Sequence, residues 1–203
     1  MDQAKIRLSA KEAELVANAD WILTKNGILQ KVKYVLEKLQ SEQQRLLQAD
    51  HSLLPEEITA IPPKISRGEN YKGLPYLVLD YPRCFEKNDH FAIRTMFWWG
   101  NFFSITLHLS GNYKKIYEAK VETVFTSLKD ESFFIGVSND QWEHHFETSN
   151  YLPLQQLNAI AFKNYINDKP FIKLAKKISL EQWDDAGDML FTAFRQVIGW
   201  LTH

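Results

Sequence analysis

The stretch that decides the fold runs Phe91-Ala92-Ile93-Arg94-Thr95-Met96-Phe97-Trp98, then Trp99-Gly100-Asn101, then Phe102-Phe103-Ser104-Ile105-Thr106-Leu107-His108-Leu109. Two runs rich in β-branched and aromatic residues flank a turn-forming trio, which is the composition of a β-hairpin. Side chains alternate between faces along a strand, so a slip of one residue sends every side chain to the other side. Polarity therefore tests the register. With a two-residue loop at Gly100-Asn101, Arg94 joins Phe103, Ile105, Leu107 and Leu109, while Ser104, Thr106 and His108 share a face with Phe91, Ile93 and Phe97. With a three-residue loop from Trp99 to Asn101, one face is Phe91, Ile93, Thr95 and Phe97 with Phe103, Ile105, Leu107 and Leu109. The other is Ala92, Arg94, Met96 and Trp98 with Phe102, Ser104, Thr106 and His108. Keeping an unpaired charge out of a core is worth several kcal/mol, more than any turn preference. The three-residue loop is expected, with Asn101 as its left-handed residue.

Outward from the hairpin, Tyr76 to Tyr81 reads as a strand that stops at Pro82 and carries Asp80 toward Arg94. Ser132 to Val137 reads as another strand, and Phe171 to Ile178 fits either a strand or a helix. Between them, Tyr113, Tyr117, Val121, Val124, Phe125 and Leu128 recur at helical spacing. At the start of the chain, Ser9 and Glu12 form a capping box for a helix over 9–24, ended by Asn26-Gly27. A second helix follows to Ala49 with Val32, Leu36 and Leu39 on its apolar face, the seam interrupted at Glu42-Gln43. Pro55, Pro62, Pro63, Gly68, Gly73 and Pro75 make 51–75 an ordered loop. Pro153 opens a helix, and Ser179 with Gln182 caps the last one, which carries Leu190, Phe194, Val197 and Leu201. The expectation is one α+β domain over 1–203, an antiparallel sheet of about four strands packed by amphipathic helices from both ends. Within it, 1–50 is a helix pair, 51–75 the loop, 76–138 a sheet region with one helix, and 150–203 the C-terminal helices.

Composition removes several function classes. Across 203 residues, Lys plus Arg number 24 and Asp plus Glu 25, a net charge of -1 that argues against a nucleic-acid partner. No apolar run approaches a membrane span. The stretch Met1 to Lys5 has no apolar signal core, so a soluble, cytoplasmic protein is expected. One cysteine, Cys84, allows no internal disulfide, and flanking by Phe85 reads as a small buried hydrophobe. The adjacent pair His144-His145 has poor chelating geometry on a strand or a helix, and no HExxH occurs, so no metal is expected. Nucleotide loops and a serine elbow are also absent, and no cofactor is expected. Lys173, Lys176 and Lys177 read as a solvated basic face.

What remains is the amphipathic hairpin face. A few convergent polar groups among aromatics suit a small-molecule pocket. The candidate ligand-binding set is Arg94, His108, Thr106, Ser104 and Trp98, with Arg67 and Arg83 on the rim. Arg94 would hold an anionic group, His108 exchange a hydrogen bond, and Trp98 provide an apolar wall. Two alternatives share the residues: an enzyme with His108 as acid or base and Arg94 as electrostatic stabiliser, and an interaction module that pairs with a partner or as a homodimer. A structural reading competes with all three, in which a helix covers the face and Asp80 neutralises Arg94.

Overall fold

A computed structural model describes residues 6–202; the stretch Met1 to Lys5 and the final His203 lie outside the described residues. The hairpin takes the three-residue loop. Strands β3 (His90–Trp98) and β4 (Phe102–Ser110) pair antiparallel with Phe91 opposite Leu109, Arg94 opposite Thr106 and Trp98 opposite Phe102. The left-handed residue is Gly100, at φ 70°, rather than Asn101. The Asn101 amide instead donates to the Trp98 carbonyl at 3.0 Å and closes the turn, and Gly meets the positive φ without a Cβ clash.

The sheet is larger than the sequence pattern indicates. Among the described residues seven strands, not about four, pair antiparallel throughout. The 51–75 segment, read as a loop with a short helical turn at Pro55 to Ile58, holds that turn (Glu56–Thr59) and also strand β1 (Lys64–Tyr71). Lys72 and Gly73 both have positive φ, and this two-residue turn leads into β2 (Leu74–Phe85). β1 lies at the sheet edge with charged residues along it, so it lacks the apolar alternation that betrays a strand. β2 does not end at Pro82. The register shifts by one residue between Asp80 and Arg83, and Pro82, which has no N–H to offer, sits in that bulge. After β4 come helices over Gly111–Thr123 and Phe125–Asp130, one helical stretch broken at Val124. Strands β5 (Phe134–Gly136) and β6 (Tyr151–Pro153) follow, and β7 (Phe171–Ser179) resolves the ambiguous segment as a strand between β4 and β5. The strand order is β1-β2-β3-β4-β7-β5-β6.

Several helix boundaries differ for local reasons. Ser9 and Glu12 do form the reciprocal cap of α1 (Ala10–Ala17). The helix stops at Asn18, whose side chain accepts from the Trp21 amide and starts α2 (Ala19–Ala49). Gly27 lies inside α2, where a Gly costs about 1 kcal/mol relative to Ala yet does not break a helix anchored by Leu29, Val32, Leu36 and Leu39. Pro153 closes β6 and opens only a one-turn 3-10 helix, Leu154–Gln156; the α-helix that follows, Ala159–Asp168, starts at Asn158, whose side chain accepts from the Ala161 amide. Ser179 accepts from Glu181, not Gln182, and caps a short 3-10 turn before the last helix, Ala186–Thr202.

The apolar hairpin face meets α2 and the later helices in one contiguous core. Phe91, Ile93, Phe103, Ile105 and Leu109 are all fully buried there. Gln43, which interrupts the seam of α2, is also sealed inside. No helix among the described residues is long and apolar enough to cross a membrane.

Thr95 sits in the middle of the apolar face at 0% exposure, and its hydroxyl has no partner. Thr95→Val keeps the shape and removes an unsatisfied polar atom. Urea denaturation of this variant is expected to show a gain of about 1 kcal/mol; a loss would mean that the hydroxyl is satisfied in solution.

Candidate functional site

The second hairpin face carries charge across the sheet in a single row. Lys64 of β1 lies opposite Asp80 of β2, and Asp80 opposite Arg94 of β3. The Arg94 guanidinium grips Asp80 with two bonds, Nε to Oδ1 at 2.7 Å and Nη2 to Oδ2 at 2.9 Å. This fork matches a carboxylate in geometry as well as charge. One carboxylate between two cations leaves the row with a residual positive charge.

Among the described residues, no helix covers this face. The segment 137–150, joining β5 to β6, lies across it as a strap. Phe146 anchors the strap among Phe102, Phe134 and Tyr151. The rest is pinned by polar contacts. The Tyr71 hydroxyl accepts from the backbone amides of His144, at 2.7 Å, and His145, at 3.2 Å. A hydroxyl has a single proton, so its own hydrogen is directed to His145 Nδ1, 3.2 Å away. Arg94 Nη1 donates to His144 Nε2 at 3.0 Å. A guanidinium only donates, so that ring nitrogen is bare and His144 is neutral. Its pKa is accordingly held well below the ordinary histidine value, by burial first and then by Arg94 and Lys173.

Between the strap and β1–β3 remains a cleft of about 300 Å³. Arg94 and Asp80 form its floor, Lys64 its rim, and Tyr71, Tyr76 and Trp142 its aromatic walls. Tyr76 lies across Gly68 of the edge strand, and its ring occupies the space that a side chain there would need. A larger groove, about 680 Å³, lies near the end of α2. Its only formally charged lining residue is Glu56, which does not suit an anion.

The residues singled out in the sequence are divided by this geometry. Arg94 is in the cleft. Trp98 is beneath it, its indole donating to the Tyr71 carbonyl at 3.1 Å and its ring edge-on to Tyr71. Ser104, Thr106 and His108 are buried. His108 pairs with the strap through Gln141 at 3.0 Å and packs against Trp142. Burial first, then Lys173, pushes its pKa down to about 3. Arg67 is exposed and bound to Glu69, and Arg83 donates to the Pro62 carbonyl at 2.9 Å. Neither lines the cleft. Lys173 corrects the solvated-face reading: it is 1% exposed, donates to the Glu143 carbonyl, and lies over the Tyr151 ring. Burial first, then Arg94, lowers its pKa to about 7. Sequence reasoning missed Lys64, Tyr71, Tyr76, Trp142 and His144 as lining groups. For Tyr76 the signal was its place on the same strand face as Asp80, four residues on; for Tyr71 and the strap there was none.

The chain matches no protein-family model, no curated protein and no solved structure.

Two pH effects follow from the buried bases. His108 and His144 titrate near 6.5 when unfolded but remain neutral well below that when folded. The unfolded chain therefore binds two more protons on acidification, and stability falls as pH drops through about 6 to 5, with a slope approaching 2.7 kcal/mol per pH unit from this pair. Urea titrations of wild type and His144→Gln check this: the variant loses about half of that slope. On the alkaline side, Lys173 is mostly neutral in the fold above about pH 7, whereas the unfolded lysine holds its proton to about pH 10.4. Stability contributed by this group thus rises with pH across that window. Lys173→Met is expected to be more stable than wild type by a few kcal/mol at pH 6, with the gap closing toward pH 10. A gap independent of pH would show that Lys173 is not buried as a base.

Proposed function

We propose that the protein binds a small anionic ligand with a flat apolar body, such as an aromatic carboxylate or phosphate, in the cleft over Arg94. The observation that carries this reading is the Lys64–Asp80–Arg94 row on the cleft floor and rim, with Tyr71, Tyr76 and Trp142 as walls. Residual positive charge supplies the attraction, and aromatic faces supply contact for the rest of the molecule. Arg94 enters this site already oriented by Asp80. It is therefore the fixed charge, and the exposed ammonium of Lys64 is the adjustable one.

An enzyme using the same cleft is the less supported alternative. His108, its intended acid or base, lies under the strap and outside the cleft lining, and His144 spends its Nε2 lone pair on Arg94. A proton carrier needs a free lone pair and a pKa near the working pH. A reducing compartment such as the cytoplasm suits the free, buried thiol of Cys84.

Thermal-shift titration with benzoate and phenyl phosphate, against uncharged benzamide, tests the reading. At ten times Kd a ligand contributes about 1.4 kcal/mol, which for a chain of this size raises Tm by about 4 °C. The shift should weaken in salt, vanish in Lys64→Glu and shrink in Trp142→Ala. Neither anion shifting Tm at millimolar concentration, or benzamide matching them, would remove this proposal.

A further inference from the structure

Seven of the twelve large apolar side chains exposed among the described residues fall within 6–23. No residue of α1 is buried, and α2 contributes none to the core before Leu29. Leu8, Leu15, Val16, Trp21, Ile22 and Leu23 range from 42% to 76% exposed. Trp21, Ile22 and Leu23 are consecutive and step about 100° apart, so apolar surface runs around the arm; in sum it is on the order of 500 Å², a large part of the ~800 Å² that each partner buries in a standard interface.

Two features say what covers this surface. The first is continuity. Residues seven apart lie nearly in line on a helix, so Ile22 prolongs the stripe of Leu29 and Leu36 that α2 buries in its own core. The core seam runs on past the point where the chain stops covering it. The second is charge. Residues 6–25 carry Arg7, Lys11 and Lys25 against Glu12, Glu14 and Asp20, a balance of zero. A surface that meets its own copy across a twofold axis must not repel itself. A basic excess, which would favour an anionic lipid surface or a nucleic acid, is absent from this stretch.

From these observations we infer that α1 and the first two turns of α2 form a twofold interface with a second copy of this chain. The paired arms shelter Leu15, Val16, Trp21, Ile22 and Leu23, and the seam of each α2 continues into its partner. The inference does not depend on the ligand cleft, which lies on the strap-covered face of the sheet.

Sedimentation velocity across a hundredfold range of micromolar concentration tests it on the full chain. Wild type is expected to double its sedimenting mass as concentration rises. Val16→Glu and Leu23→Glu, at positions 76% and 65% exposed, are expected to keep the circular dichroism of the folded protein and weaken dimerisation at least tenfold. Ile160→Glu, equally exposed on the helix Ala159–Asp168, should dimerise as wild type does. The inference is overturned by a wild type that stays monomeric throughout, by a dimer that survives both arm variants, or by a monomer that co-floats with phosphatidylcholine vesicles.

Discussion

Arg94 cannot enter the apolar side of the sheet, because no carboxylate is buried there to pair a guanidinium and its hairpin neighbours, Thr95 apart, are aliphatic or aromatic side chains. Opposite Asp80 on the other side it makes two charge-assisted bonds. That choice fixes the register of β3 against β4, and with it the position of every hairpin side chain. The eight residues on the dry side then require helices over them, which α2 and the later helices supply. The wet side requires a cover that can satisfy polar atoms, and an amphipathic helix with an apolar stripe would leave them stranded. An irregular segment with free backbone groups can meet them, and the strap does so.

The strap shows how polar groups are kept buried without strong charge. Its His144 accepts from Arg94 and its Gln141 meets His108 of β4, two rings that burial holds neutral, while the His145 ring meets the Tyr71 hydroxyl. Tyr71 joins two consecutive strap amides to one hydroxyl. Lys173 is the exception, a buried amine met by a carbonyl and an aromatic face rather than a carboxylate. Its neighbour Arg94 already has the only carboxylate on the cleft floor. The cluster is therefore held neutral largely by proton release, and its cost falls on the acid side for the rings and the neutral side for the amine.

Much of the hairpin was legible because polarity sorts cleanly in only one register. The Asp80–Arg94 pair was legible for the same reason, since both residues interrupt apolar runs. The edge strand β1 was not: Pro62, Pro63 and Gly73 flank it, Gly68 interrupts it, and a strand exposed at an edge need not alternate. Pro82 hid the second half of β2, because a bulge accommodates a proline that a regular ladder would reject. The strap was beyond reach for a different reason. His144, Trp142 and Gln141 follow no period, and their placement depends on β5 and β6, two three-residue strands far too short to announce themselves. Lys173 misled because its type predicts solvent, and only the pairing of β7 beside β4 brings it opposite His108.

Gly68 has a role that its distance from the charged row conceals. Tyr76 rests where its side chain would be, so any substitution at this position unseats that ring from the wall of the cleft. The aperture is thus set by an omission in the outermost strand. If the cleft takes the proposed anion, discrimination between slim and bulky guests falls to this edge-strand position, while the charged row is left untouched.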